Sequence, residues 1–313
     1  MAHLERHPDG VTTVDAEYTR PMMAAVHIVE HAGRAAIVDT GTNHSVPHVL
    51  AALSDLGLQL WTVDYLFLTH VHLDHAGGAG ALMQVLPNAR AVLHPRGAPH
   101  LVDPAKLIAG SIAVYGEAAY AALYGQLVPI PPERIVVTQD GDRVALAGRV
   151  FEFWHTPGHA LHHHVIVDRD AGIVFTGDTL GVSYRELATT NGAFVVPTTT
   201  PTQFDPEQLA ASIARIAAAR PRAAYLTHYG RVENVERVSA ALTEQVQELA
   251  AMATAHRGAP DAAIRIRAAM HARWLVRARD HGVQLSDAAI DDILRGDLEL
   301  NVQGLMAWLQ RTG

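Results

Sequence analysis

Short runs of apolar residues recur along the first two thirds of the chain, each bounded by glycine, proline or polar residues. Runs of this length are typical of strands, and runs without polar alternation are typical of strands buried on both faces. Between them lie longer segments whose apolar residues recur at helical spacing. This alternation predicts an α/β fold. The predicted strands are a hairpin of Ala24–Glu30 and Ala35–Asp39, then Asp64–Thr69, Arg90–Leu93, Val150–Trp154, His164–Val167, Gly172–Thr176 and residues 223–227.

After about residue 231 only helical periodicity remains. Before that point helices alternate with strands, and one of them has a clear start, with Asp205 as N-cap and Pro206 at its first position. We therefore predict one domain over residues 1–231 and a helical region over residues 232–313. The predicted helices are Val46–Leu56, Gly80–Leu86, Pro104–Leu127 and residues 206–219, followed by Glu233–His256, Ala262–Asp280, Ser286–Arg295 and Leu298–Arg311.

The segment His70-Val71-His72-Leu73-Asp74-His75 concentrates three histidines and one aspartate directly after a predicted strand. Open α/β sheets bind ligands at the carboxyl ends of their strands. Residues two apart in an extended chain point to the same side, so His70 and His72 can bind one metal ion together. Asp74 and His75 follow where the chain turns, and they can point toward a second ion.

Three further residues that can bind a metal follow apolar strands in the same way. They are His159, Asp178 and His228. Taken alone, each has an ordinary structural explanation as a turn or core residue. Four strand ends that all carry nitrogen or oxygen donors indicate a metal centre.

The composition narrows the chemistry. The 313 residues contain no cysteine, so any metal site must be built from nitrogen and oxygen donors. A formal net charge of −8 without a basic patch argues against a nucleic-acid partner. The chain has no apolar stretch near its start and no run of about 18 apolar residues, so we expect neither a secretion signal nor a membrane span. We expect a cytoplasmic protein that acts on a small molecule.

Together these motifs resemble the metallo-β-lactamase superfamily, in the branch that includes glyoxalase II and related hydrolases. The matching motifs are HVHLDH at 70–75, TPGH at 156–159, FTGD at 175–178 and LTH at 226–228, and Val38-Asp39-Thr40-Gly41 matches the first motif of the family. The resemblance covers about residues 20–230. It implies an αββα sandwich with its catalytic domain over residues 1–231, here followed by a C-terminal helical appendage.

The resemblance also implies a role for each ligand. Two sets of three residues would each bind a divalent ion. The first ion would be bound by His70, His72 and His159, and the second by Asp74, His75 and His228. Asp178 would bridge the two ions, and Asp39 would hold the metal loop by hydrogen bonds. The donor set favours zinc, with iron or manganese as alternatives.

The reaction implied by the resemblance is hydrolysis. A hydroxide shared by the two ions would attack the carbonyl carbon of a thioester, lactone or related ester, with Asp74 orienting that hydroxide. The alternative is a di-iron protein of the same fold that binds oxygen or carries out redox chemistry. The glycine-rich basic signature that follows the late histidine region in glyoxalase II is absent after His228, so a glutathione thioester is not implied.

Several other residues are expected near the substrate. Tyr184 and Arg185 follow the Asp178 loop, where a tyrosine can donate to an oxyanion and an arginine can bind a carboxylate. Phe194 lies in the irregular segment 191–201, which we expect at the rim of the cleft. The segment Pro104–Leu127 is expected to overhang the site. The C-terminal helices can cap an apolar substrate or form a homodimer interface, and the sequence leaves both open.

Overall fold

Two β-sheets lie face to face in the computed structural model, which describes residues 3–199 and 203–313. The first sheet has seven strands in chain order, antiparallel from β1 to β4 and parallel from β4 to β7. Its strands are β1 (Leu4–Arg6), β2 (Val11–Asp15), β3 (Ala25–His31), β4 (Arg34–Val38), β5 (Val63–Phe67), β6 (Arg90–Leu93) and β7 (Ile135–Val137).

The second sheet has six strands in the order β13-β12-β11-β10-β9-β8. All neighbours are antiparallel except β11 and β12, which run parallel. Every residue of β10, β11 and β12 is buried, as predicted by the apolar runs at 165–167, 173–175 and 223–226. The strands are β8 (Arg143–Leu146), β9 (Arg149–His155), β10 (His164–Asp168), β11 (Ile173–Gly177), β12 (Ala223–Leu226) and β13 (Gly230–Val232).

Helices cover the outer face of each sheet. The predicted start at Asp205 is confirmed, because its side chain accepts a hydrogen bond from the Gln208 amide at 2.9 Å and Pro206 occupies the first position. The helices are α1 (Val46–Asp55), α2 (Leu73–Ala76), α3 (Ala79–Val85), α4 (Ala98–Val102), α5 (Ala105–Tyr115), α6 (Glu117–Tyr124), α7 (Pro206–Ala218), α8 (Val235–Ala255), α9 (Ala262–His281) and α10 (Asp287–Thr312).

Three apolar clusters define the layers. One packs the first sheet against α1, α3 and neighbouring helices, and one fills the space between the sheets with aromatic residues such as Phe67, Phe153 and Phe175. The third packs the second sheet against α7 to α10. The order of layers is helix, sheet, sheet, helix, which confirms the predicted αββα sandwich.

Two helix predictions were wrong. The segment Pro104–Leu127 forms two helices that bend by 116° at Gly116, where φ is +82°. The two predicted final helices are one continuous helix, α10, in which Leu294 and Leu298, two residues before and two residues after Gly296, are buried on one face. Strands β1, β2, β7, β8 and β13 were not predicted from the sequence.

No single helix among the described residues is long and apolar enough to cross a membrane, although α5 and α6 taken together meet the criteria of length and composition. The predicted division at residue 231 falls inside the last strand, β13. Residues 200 and 201 of the predicted rim segment lie outside the described residues.

Candidate metal centre

The HVHLDH segment lies in the loop after β5 and in the short helix α2. It contributes to three groups of potential ligands: His70, His72 and His159; His70, His75 and Asp178; and Asp74, His75 and His228. Within each group the ligand atoms lie within 4.8 Å of one another. The structure thus brings together all seven residues that the sequence analysis named as ligands.

The first set is made of histidine nitrogens. The Nδ1 atom of His72 lies 2.8 Å from Nε2 of His70 and 3.2 Å from Nε2 of His159. His70 and His159 are buried, whereas His72 lines an open cavity. Three nitrogens therefore converge on one point at the cavity wall.

The second set combines nitrogen and carboxylate donors. Oδ2 of Asp74 lies 3.2 Å from Nε2 of His228 and 3.8 Å from Nε2 of His75. Asp178 lies between the sets, with Oδ1 at 3.2 Å from Nε2 of His75 and Oδ2 at 3.3 Å from Nε2 of His159. One carboxylate thus presents an oxygen to each set, which is the arrangement that a bridging ligand needs.

The outer hydrogen bonds of the imidazoles orient their Nε2 atoms inward. Nδ1 of His75 donates to Asp39 at 2.8 Å, Nδ1 of His228 donates to the Met23 carbonyl at 2.8 Å, and Nδ1 of His159 faces the Thr198 carbonyl at 3.2 Å. A neutral imidazole that donates from Nδ1 carries its lone pair on Nε2. These three Nε2 lone pairs therefore point at carboxylates.

An imidazole lone pair and the carboxylate that it faces repel each other unless a cation lies between them. Nε2 of His75 and Oδ1 of Asp178 are also buried without a hydrogen bond among the described residues. Buried polar atoms are almost always partnered. Their orphaned state is consistent with direct ligation of a cation, and the donor set fits divalent ions that accept nitrogen and oxygen ligands.

The electrostatics of these residues also favour a cation. Burial raises the pKa of the Asp178 carboxyl, but the imidazoles of His75 and His159 outweigh it and hold that pKa well below its usual range. Burial lowers the pKa of His75, but the carboxylates of Asp178, Asp74 and Asp39 outweigh it and raise that pKa well above its usual range. Without a metal, a proton on His75 therefore balances these carboxylates, and a bound cation would take the place of that proton.

Asp39 holds this arrangement from behind. It is fully buried just after β4, and besides His75 it accepts hydrogen bonds from the Thr69 amide at 2.8 Å and from the Thr227 hydroxyl at 2.7 Å. Thr69 and Thr227 each precede a histidine of the candidate ligand sets. Asp39 therefore fixes three segments of the centre at once, in keeping with the role the resemblance implied.

His163 supports the loop of Asp178. Its Nε2 accepts a hydrogen bond from the Asp178 amide at 3.2 Å, and its Nδ1 lies 2.9 Å from the Thr156 hydroxyl. A Cβ atom at Gly177 would lie 2.6 Å from that Nε2, and Gly177 has φ of +46°. The glycine before Asp178 is thus required by both close packing and backbone conformation.

A cavity of about 350 Å³ opens onto the centre. His72, Asp74, His159 and Asp178 form one wall, and residues of α5 and α6 form the opposite one. The prediction that the segment Pro104–Leu127 overhangs the site is confirmed in so far as residues of both its helices line the cavity.

The three residues predicted to contact substrate do not line this cavity. Tyr184 is buried and donates its hydroxyl to Asp297 at 3.2 Å. Arg185 pairs with Glu5 and stacks on Tyr229. Phe194 is buried in the cluster that holds the C-terminal helices. Each is occupied by a structural contact, so we withdraw the expectation that they bind substrate.

The support that α10 gives to His159 was not predicted from the sequence. Asn301 is buried, and its Oδ1 accepts from the Thr199 amide at 3.0 Å while its carbonyl accepts from the Thr199 hydroxyl at 3.0 Å. Thr198, whose carbonyl faces His159, is the preceding residue. A polar residue within an apolar helix face was the only sign of this contact in the sequence.

The comparisons with known proteins agree with this geometry. The family model of the metallo-beta-lactamase superfamily matches residues 19–229. A hydroxyacylglutathione hydrolase of Pseudomonas aeruginosa is 30% identical over 224 residues, which cover 69% of this chain and 67% of that protein.

Solved structures show the same fold. An archaeal metallo-beta-lactamase superfamily protein from Sulfolobus tokodaii matches 96% of this chain and 99% of its own, with a TM-score of 0.67 and 22% identity. A chemotaxis sensor described with a peroxy diiron species matches 77% of this chain and 94% of its own, with a TM-score of 0.54 and 14% identity. The first match extends over most of the C-terminal helices, so they belong to the shared architecture.

Proposed function

The chain belongs to the metallo-beta-lactamase superfamily, and from this premise we propose that it is a hydrolase that uses two divalent metal ions, with zinc as the preferred metal. The proposed substrate is a thioester, a lactone or a related ester. The observation that carries the proposal is the position of Asp178, which presents one oxygen to each of two ligand sets.

The residues would divide the work as follows. His70, His72 and His159 would hold one ion, Asp74, His75 and His228 the other, and Asp178 both. When bound, the ions would supply a hydroxide at neutral pH and polarise the substrate carbonyl. The reaction would then need no nucleophilic side chain, which accords with a chain that has no cysteine.

Asp74 is the carboxylate best placed to act on the substrate side. Its side chain is 21% exposed and lines the cavity, whereas that of Asp178 is 7% exposed. One Asp74 oxygen faces His228. The other can accept a hydrogen bond from the attacking water and orient it toward a carbonyl in the cavity.

Tyr124 is a neutral hydrogen-bond donor in the opposite wall. Burial, reinforced by the negative charge of Asp74, raises the pKa of its phenol far above the usual value. Its hydroxyl lies 3.1 Å from that of Tyr18. This pair can donate to a polar group of the bound substrate without itself losing a proton.

The first experiment measures metal content and the visible spectrum of protein purified without a metal-binding tag. We expect about two zinc ions per chain, no visible absorption band, and hydrolysis in a screen of thioesters and lactones. H159A and H228A should each retain about one ion. The exposed His31 provides a control, since H31A should retain both ions.

A di-iron protein that binds oxygen or carries out redox chemistry is the second candidate. The same nitrogen and oxygen donors suit iron, and the chemotaxis sensor with a peroxy diiron species shares the fold. Two iron ions with a visible band that changes on exposure to oxygen would overturn the hydrolase proposal in favour of this one.

A further inference from the structure

The cavity wall opposite the metal ligands is one face of α5. Lys106, Leu107, Gly110, Ser111, Val114 and Tyr115 line it, at the spacing that places residues on one side of a helix. Lys106 is the only lysine in the chain. The only lysine ammonium group of the protein therefore lies, exposed, at the lining of this cavity.

Helix stability does not explain this lysine. Lys106 is the second residue of α5. The amino-terminal end of a helix carries partial positive charge, so a cation there is unfavourable. Among the residues that the structure describes, it forms no hydrogen bond or ion pair that would offset this. Its charge is left available to a molecule in the cavity.

A second unpartnered group lines the same cavity. His162 is 7% exposed, and its Nδ1 atom is buried without a hydrogen-bond partner among the described residues. The His162 ring lies 5.4 Å from that of the ligand His72 and 6.4 Å from that of His100, which also lines the cavity. His162 thus extends the polar lining from the ligand sets toward α4 and α5.

The remaining lining supports the same interpretation. Gln203 accepts a hydrogen bond from the Leu161 amide through Oε1, which leaves its amide nitrogen to donate. Both acidic residues of the cavity, Asp74 and Asp178, belong to the ligand sets. Leu107, Val114 and Leu300 add an apolar surface. The lining of the cavity therefore combines two carboxylates, one cation and several apolar side chains.

We propose that Lys106, with His162 and Gln203 as further hydrogen-bonding groups, binds an oxyanion of the substrate. The substrates are then acidic esters or thioesters whose carboxylate or phosphate is separated from the scissile carbonyl by a short apolar chain. This inference rests on the proposed hydrolase function, and it names the substrate class within it.

Two matched chromogenic esters test the inference. The mono-4-nitrophenyl ester of glutaric acid carries a terminal carboxylate, and 4-nitrophenyl pentanoate has the same chain length without it. We expect the wild type to favour the acidic ester and K106Q to lower kcat/KM for it by about 10-fold, mainly through KM, because a charge-assisted hydrogen bond is lost. The neutral ester should change by less than about twofold, and K106R should restore most of the loss.

The control removes a positive charge elsewhere. R90Q alters an exposed arginine of β6, and it should leave both esters unaffected. Added salt should reduce the preference of the wild type for the acidic ester. Equal effects of K106Q on both esters, or no effect on either, would overturn the inference while the hydrolase proposal stood.

A binding measurement separates this inference from the proposed function. Glutarate and inorganic phosphate are titrated into metal-loaded wild type and K106Q by calorimetry. The anion that loses about 10-fold in affinity in K106Q identifies a carboxylate or a phosphate as the bound group. If neither ester is hydrolysed but this loss is seen, the hydrolase proposal fails and the anion site stands. Unchanged affinity for both anions rejects the site.

Discussion

Replacing Asp39 by asparagine should weaken the second metal site through a change of tautomer in His75. Oδ1 of Asp39 accepts from the Thr69 amide, and Oδ2 accepts from Nδ1 of His75. An asparagine must place its NH2 group at one of these two positions. The Thr69 amide cannot turn away from it, so the NH2 group faces His75. His75 must then accept at Nδ1 and carry its proton on Nε2, where it can no longer bind a metal.

The expected magnitude follows from this loss. Changes to residues that orient metal ligands typically cost 10–100-fold in metal affinity. That corresponds to about 1.4–2.7 kcal/mol. The assay dialyses the protein against increasing concentrations of a chelator and counts ions per chain by mass spectrometry. D39N should release one ion at a chelator concentration about 10–100-fold lower than the wild type does, and it should keep the other.

Asp64 provides the matched control. It is a partly exposed carboxylate of the same sheet that pairs with Arg34, and no ligand contacts it among the described residues. D64N should release its ions as the wild type does. If D39N is folded, as judged by circular dichroism, and keeps both ions at wild-type chelator concentrations, the tautomer argument is refuted.

Three further predictions concern the wider structure. Gly304→Ala should weaken the first metal site, because the new Cβ would lie 2.1 Å from the Thr199 carbonyl oxygen. Gly296→Ala on the same helix is the control, because a Cβ there meets open space and metal binding should not change. The chelator titration compares the two variants. Removal of both ions should lower the melting temperature, and metal added back should restore it, since ligand at 100 times its Kd stabilises the fold by about 2.7 kcal/mol. Burial raises the pKa of Asp297 from 3.8 to about 6, so the folded state keeps a proton that the unfolded state releases. The stability of metal-stripped protein should therefore fall as pH rises through that window, and Asp297→Asn should remove up to about 3 kcal/mol of this fall in urea unfolding curves.

The candidate metal ligands could be identified in the sequence because each is determined locally. A buried strand that ends in a histidine or an aspartate can be recognised within a few residues, and the sheet edge then brings such strand ends together. Asp39 follows the same rule at the end of β4. The αββα architecture followed from the resemblance that these motifs carry.

The first strands were missed for a physical reason. All five residues of β2 are buried, yet Thr12, Thr13 and Asp15 are polar. Thr13 pairs with His27 at 3.2 Å, and Asp15 accepts from the amides of Glu17 and Met22. Such partners compensate for the burial of polar groups. A strand satisfied in this way has no apolar pattern to reveal it.

Two glycines caused opposite errors in the helix predictions, because one ends a helix and the other lies within one. A glycine inside a helix costs only about 1 kcal/mol relative to alanine. That cost is small enough for packing to decide the outcome. Gly116 ends α5 because α6 turns to bury Tyr120 and Tyr124, whereas Gly296 stays within α10 because Leu294 and Leu298 are buried on one side of that helix.

The C-terminal helices are tied to the metal centre as well as to the core. Asn301 holds Thr199 by two hydrogen bonds, and the carbonyl of Thr198 faces Nδ1 of His159, a proposed ligand. Leu300, one residue earlier on α10, lines the cavity. A shift of α10 would therefore move a proposed metal ligand and a cavity wall together. A boundary near residue 231 marks where the second sheet ends. It does not separate the site from the C-terminal helices, because residues of α10 support and line that site.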